Sequence, residues 1–393
     1  MAFATPFFVS FEQIFALLMQ KPAYILDMIR VPTGKKNGYY KQILPESLVA
    51  HLLNKLIERN SLHSKDIELI LGNSIGTMGN MTRYAALLSS LDIEVNSSTI
   101  DMQCGGSYQS LRIARALVTS GECDAVIFGG LESNSLAPER RYMPLDPRNR
   151  GEKHIKVADF SPYPSHSLLL AAENLGLKYS ILKEDLFNWT LRSHEKAFMF
   201  SKTEAYKNYV SDSLSLNRID ESIRPELSLD VLKRSASNHF TDRTNTAHYH
   251  DGVALGILVN EDYLSKYNIK PMAKVLQAFS RGIDPNNAPE GAIIAAKEIL
   301  IRTEFQVKDI DLFEVNESFG VKPLAFISEF GVDKEKVNVL GGNLAYGHPY
   351  AASGAMNLMH LILGLKQNNK KFGLLTAGVA GGFGMGVLIE NIN

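Results

Sequence analysis

Cys104, in Asp101-Met-Gln-Cys-Gly-Gly-Ser-Tyr-Gln-Ser110, is the side chain best placed along this chain to act as a nucleophile. Ile93–Asn96 and Thr99-Ile100 read as an extended approach to it. Behind it, Tyr108, Leu111, Ala114, Leu117 and Val118 recur at helical spacing. Gly121 stops that helix, and Asp124–Phe128 reads as a buried strand ending in Gly129-Gly130. Cys104 therefore falls where a strand turns into a helix N-terminus. Unpaired backbone N–H groups and the helix dipole there lower a thiol's pKa and can receive a developing oxyanion. Gly105 and Gly106 have no side chains and let other groups approach closely. The competing reading is a small apolar core cysteine, the usual fate of a free thiol.

The elements around it alternate. Ala23–Ile29 reads as a strand closed by Arg30-Val-Pro-Thr-Gly34, and a helix follows through Leu48, Val49, Leu52, Leu53 and Ile57. Ile67–Leu71 is the next strand, and a helix around Ala85–Leu91 precedes the Cys104 stretch. Alternation of this kind builds a mostly parallel sheet covered on both faces. From Leu131 to about Asn245 prolines (138, 144, 147, 162 and 164) break the pattern, and helical segments at Leu168–Leu175 and Lys183–Ala205 follow without clear strands. This is an inserted loop or lid, of the kind that commonly carries substrate contacts. Strands return at Gly252–Val259, Ala273–Gln277, Leu312–Val315, Phe372–Thr376 and Met385–Glu390, with helices at Gly291–Arg302 and from Ser353 to about Lys366. The second half repeats the plan of the first. The division expected is an N-terminal extension (1–22), an N-terminal half (23–130), a lid (131–245, returning to that half near 246–264) and a C-terminal half (265–393).

Composition narrows the function classes. At 393 residues, 45% hydrophobic, 21% charged and with a net charge of -1, the chain has the balance of a soluble protein. That near-neutral balance gives no reason to expect nucleic acid or an anionic membrane as partner. Two cysteines, Cys104 and Cys123, cannot make a disulfide framework, which fits a reducing cytoplasm. Metal-ligand spacing is absent, so no metal is expected. The apolar start, Phe7 to Leu18, has no basic residues ahead of it and no cleavage site, and is too short for a membrane span. An amphipathic helix lying on the body or on a partner subunit is the simpler expectation.

Four stretches fit together. Cys104 lies in M-Q-C-G-G-S-Y-Q-S, with G-G-L-E-S-N-S at Gly129–Ser135. Asn316 lies in V-N-E-S-F, His348 in G-G-N-L-A-Y-G-H-P-Y-A-A-S-G, and Gly378–Gly384 reads G-V-A-G-G-F-G. R-V-P-T-G-K at Arg30–Lys35 precedes them, and A-A-E-N at Ala171–Asn174 and H-D-G-V-A at His250–Ala254 stand between the first and the second. From about Ala23 to Glu390 the chain resembles the thiolases, the acyl-CoA C-acyltransferases. The resemblance implies a five-layer α/β/α/β/α fold of two similar halves with mixed sheets, and a homodimer or homotetramer. It implies a CoA thioester, or an acyl group on a carrier, as substrate and no cofactor. It assigns nucleophile to Cys104, thiol base to His348 and water-orienting amide to Asn316. The oxyanion donors would be the backbone N–H groups of Cys104 and Ala380, and Ala247, His248, Gly378 and Gly381 would meet substrate. A thiol is only slightly ionised near neutral pH, so a paired imidazole is what such a cysteine needs. The glycines beside these groups would leave room for a pantetheine thioester.

Two positions depart from that pattern. The family's second cysteine, which moves the α-proton of the attacking acyl-CoA, aligns with Gly378, which has no side chain to carry a proton. General-base help is typically worth about a hundred- to ten-thousand-fold, so thiolysis and Claisen condensation are the steps affected; acylation of Cys104 is not. Asn245-Thr-Ala-His-Tyr-His-Asp251 replaces N-A-S-G-x-N-D, so Ala247 removes a hydroxyl while His248, Tyr249 and His250 add bulk. Either histidine could supply the missing base, or the pocket is remodelled. Three functions follow as expectations. The first is an acyltransferase or condensing enzyme whose acceptor needs no strong base; the second, a conventional acetyl-CoA acetyltransferase with a substitute base, in which Gly378→Cys raises thiolysis; the third, a non-catalytic thiolase-like subunit.

Overall fold

The structure, a computed structural model, describes residues 21–62, 67–76, 78–149, 151, 167–211 and 219–392. The expected N-terminal helix and Pro162 and Pro164 lie outside those residues. The first half comprises β1 (Ala23–Arg30), β2 (Gly34–Lys35), α1 (Pro45–Asn60), β3 (Ile67–Gly72), α2 (Met81–Leu88), β4 (Ser97–Ile100), α3 (Gly106–Ser120) and β5 (Ala125–Glu132). Helix α1 shows why these residues fold as they do. Pro45 sits in its first turn beside Glu46, and Ser61 closes it in the left-handed conformation. Leu48, Val49, Leu52, Leu53 and Leu56 form its buried stripe.

The excursion carries α4 (Leu168–Lys178), α5 (Lys183–Ser201), α6 (Glu204–Tyr209) and α7 (Leu229–Ser235), and β6 (His250–Asn260) and α8 (Glu261–Tyr267) complete the first half. The helix expected over Lys183–Ala205 is two, because the Thr203 side chain caps the Tyr206 N–H and restarts it. Ile93–Asn96 is not extended: Val95 N–H donates to Asp92 O in a turn, and only Ser97–Ile100 is strand. The second half comprises β7 (Ala273–Gly282), α9 (Gly291–Thr303), β8 (Leu312–Val315), α10 (Val321–Phe330), α11 (Asn343–Tyr346), α12 (Ser353–Gln367), β9 (Phe372–Val379) and β10 (Phe383–Asn391).

The strands form one mixed sheet in the order β4-β3-β5-β6-β1-β7-β10-β9-β8, with β2 paired to β6. Among the described strands, the parallel pairs are β3–β4, β3–β5 and β8–β9 and the rest are antiparallel, which corrects the mostly parallel expectation. The antiparallel pairs have a local cause: β9 and β10 are joined by a tight turn, and the chain leaves β5 for the excursion and returns beside it as β6. The first strands of the two halves, β1 and β7, pair across Ala23–Ile25 and Ala273–Val275. Three apolar cores separate the layers. One lies under α1 and α2, one under α9 and α10, and the largest holds α3 and α12 between the two halves. Helix α12 is buried from Ser353 to Leu365, as a helix in a central layer must be. The N-termini of α3 and α12 meet at the centre, bringing Cys104 and His348 together.

Candidate active site

Cys104 stands in the single turn Gln103–Gly105 between β4 and α3. Gln103 before it has φ 49°, a conformation that costs a side-chain-bearing residue energy. His348 comes from the loop between α11 and α12, and its Nε2 lies 3.0 Å from Cys104 Sγ. Its Nδ1 lies 2.8 Å from Ser353 Oγ at the start of α12. With the Nδ1 proton given to that hydroxyl, Nε2 is free to accept the thiol proton. The backbone N–H groups of Cys104 and Ala380 both bear on the sulfur.

Burial dominates the electrostatics of the pair. It pushes the Cys104 thiol up to about 11, against the pull of the Lys322 ammonium and the two N–H donors. Burial, with Lys322 and His250 nearby, pushes His348 down to about 3. The resting pair is therefore a neutral thiol against a neutral imidazole, and proton transfer accompanies attack.

Two loops carry these groups, and buried polar contacts lock them together. Asn343 Oδ1 accepts from Asn316 Nδ2 (3.1 Å) and Asn357 Nδ2 (3.0 Å), while its Nδ2 donates to Gly347 O beside His348. Glu317 accepts from Trp189 Nε1, Ser193 Oγ, Asn338 Nδ2 and Leu344 N–H, tying the excursion helix α5 to both loops. The Asn316 amide is engaged inside the protein: its Oδ1 accepts from Ser318 N–H and from Lys322 Nζ, at 3.1 Å each.

Cys104 and His348 open onto a cavity of about 740 Å³. Ala247, Tyr249, Tyr350, Ser318, Phe319, Gly378–Ala380, Arg140 and Lys36 are among the residues that line it. Tyr249 and Tyr350 stack at 5.4 Å on one side. The size is that of a small-molecule binding site.

Several expected contacts fall elsewhere. Gly381 is a turn residue at φ 84° and does not line this cavity. His248 faces a second, smaller cavity with His194, Arg224 and Arg243, and only its carbonyl touches the site, accepting the His348 N–H. His250 is buried between Ser222 Oγ and the His248 carbonyl. Neither histidine is placed to act as the missing base. The space expected beside the Cys104 glycines is filled by protein: a Cβ on Gly106 would meet the Ala351 Cβ at 2.7 Å, and one on Gly105 the Met385 sulfur at 2.6 Å. These glycines serve close packing of the two halves rather than ligand access. Sequence reasoning missed Ser353, Ser318 and Lys322.

The chain matches the thiolase N-terminal domain over residues 23–262 and the thiolase C-terminal domain over residues 269–391. It is 30% identical to a Bacillus subtilis (strain 168) protein with the provisional name acetyl-CoA C-acetyltransferase YhfS, covering 94% of this chain and 99% of that one. It is 30% identical to the 3-ketoacyl-CoA thiolase of Aliivibrio fischeri (strain ATCC 700601 / ES114), with the same coverage. The crystal structure of the Bacillus anthracis acetyl-CoA acetyltransferase superposes with a TM-score of 0.88 at 26% identity, covering 95% of this chain and all of the other.

Proposed function

The chain belongs to the thiolase family of acyltransferases, and we propose that it takes an acyl group from a CoA thioester onto Cys104 and passes it to an acceptor entering the same cavity. One observation carries this reading: the 3.0 Å contact between Cys104 Sγ and His348 Nε2 at the floor of an open cavity.

The geometry supports the following step. Sγ attacks the thioester carbonyl as its proton passes to Nε2, and the S–C bond forms as the carbonyl π pair moves to oxygen. The Cys104 and Ala380 N–H groups face the charge that develops there. The imidazolium keeps its Nδ1 proton on Ser353 Oγ and returns the other to the departing CoA sulfur. The excursion contributes wall residues, among them Pro138 and Leu168, in keeping with a substrate-covering role. A free thiolate at rest is not required, because attack and proton transfer are coupled.

Incubation with acetyl-CoA followed by intact-mass measurement tests the loading step. The native protein should gain one acetyl group and Cys104→Ala none. No adduct, or an equal adduct in the variant, refutes the reading and leaves the non-catalytic alternative.

A further inference from the structure

Lys322 is the least expected side chain near this site. It stands in the first turn of α10 and is 1% exposed. Its Nζ lies 3.0 Å from Ser318 Oγ, 3.1 Å from Asn316 Oδ1 and 3.1 Å from the Gly378 carbonyl oxygen. All three partners are neutral oxygens. Burying an amine without a carboxylate against it is costly, and such groups concentrate where proton transfer is needed.

The position of Gly378 is closed as well as bare. A Cβ there would lie 2.1 Å from the Ala288 carbonyl oxygen and 2.9 Å from that of Pro289. The segment Pro285–Glu290 has taken the space a side chain would use. Ser318 and Gly378 both line the cavity with Cys104 and His348, and Lys322 lies directly behind Ser318. From the cavity inward the order is hydroxyl, then amine.

We propose that Ser318 and Lys322 form a proton-transfer pair that takes the α-proton from the second substrate, the task for which Gly378 has no side chain. The inference rests on acylation of Cys104, and it makes an acyl-CoA with an α-hydrogen the acceptor.

The step balances. With Lys322 as the free amine, the Ser318 hydroxyl donates to Nζ. As the Cα–H bond of the acceptor breaks, its proton goes to Ser318 Oγ and the Ser318 proton goes to Nζ. The carbon electron pair becomes the thioester enolate. That carbon attacks the acyl carbonyl on Cys104, forming the C–C bond and releasing Sγ as a thiolate, which takes up the proton that Lys322 gained from the α-carbon, so that the thiol and the free amine are both restored. In reverse, the ammonium returns a proton through Ser318 to the carbon leaving group. A hydroxyl backed by lysine is an established alternative to a histidine-based pair.

The charges around the amine suit both directions. The titratable groups facing it are Cys104, Glu317 and His348. Burial lowers Lys322 to about 8, with Cys104 and Glu317 opposing. Both the amine and the ammonium are then accessible near neutral pH, as reversible proton transfer requires.

The test follows deuterium entering the methyl group of acetyl-CoA in D2O, alongside acetylation of Cys104 by intact mass. The native enzyme should do both, with exchange rising through about pH 8 as the amine is freed. Ser318→Ala leaves Lys322 its two other oxygens and tests the relay without removing the buried cation; Lys322→Met removes the amine. Each should lower the ratio of exchange to acetylation by about a hundredfold or more. An unchanged ratio in Ser318→Ala overturns the pair, and so does a native enzyme that is acetylated but exchanges no deuterium. A native enzyme that is not acetylated overturns the loading step and this inference with it.

Discussion

Restoring the cysteine that thiolases carry at position 378 should fail, and the structure says by how much. The obstacle is met at Cβ, before any thiol is built: 2.1 Å from the Ala288 oxygen, 2.9 Å from the Pro289 oxygen and 3.1 Å from the Pro289 carbonyl carbon. All are backbone atoms, so no side-chain rotation relieves them. Overpacking of this kind costs typically about 1–3 kcal/mol, and a backbone obstacle places Gly378→Cys at the upper end. Gly378→Ala should cost about as much, because the clash belongs to the first carbon. At roughly 2 °C per kcal/mol for a chain of this size, both variants should melt several degrees below the native protein at a fixed scan rate. Gly282→Ala, whose Cβ meets nothing within 4 Å, should not. Thiolysis of acetoacetyl-CoA should not rise in Gly378→Cys, because a side chain there would have to displace Pro285–Glu290 from the cavity wall. A Gly378→Cys protein that melts with the native one and gains thiolysis would refute this reasoning. The residue would then be a simple deletion of a catalytic group, as the sequence taken alone suggests.

Two further outcomes follow from the nucleophile's surroundings. Ser353→Ala removes the partner of His348 Nδ1 and leaves a buried ring nitrogen unpaired, a loss of about 1–3 kcal/mol. Acetylation of Cys104 should slow roughly 10- to 100-fold, read by timed intact-mass measurements, and the variant should melt a few degrees below the native protein. Because burial holds the Cys104 thiol up at about 11, its thiolate fraction grows with pH throughout the working range. Iodoacetamide labelling of Cys104, followed by peptide mapping to separate it from Cys123, should rise about tenfold per pH unit between 7 and 9. A plateau reached below pH 8 would mean a thiolate already formed at rest.

What could be read beforehand divides along physical lines. The strand and helix positions of both halves were legible because apolar periodicity reports burial directly. Strand direction was not: nothing in the spacing of Gly252–Val259 says that it lies antiparallel to β5. The glycines around Cys104 were visible, but their purpose was misread. A missing side chain looks the same in sequence whether a ligand or another backbone comes close, and here Ala351 does. Cys104 and His348 could be paired through the family resemblance, because each sits in a motif that matches the thiolases.

Lys322 had no such motif, since V-N-E-S-F ends three residues before it. A lysine in the first turn of a helix reads as solvated surface, because lysine is almost never fully buried. The one available signal was its setting. Val321, Leu324, Ala325 and Phe326 leave a lysine at 322 few polar neighbours within its own helix, and Ser318 stands four residues before it. The loss at Gly378 and the gain at Lys322 lie 56 residues apart in the chain and 3.1 Å apart in space. Only the fold brings the two together. The bare glycine marks where a proton carrier is missing, and the amine proposed to supply one donates to that glycine's own carbonyl.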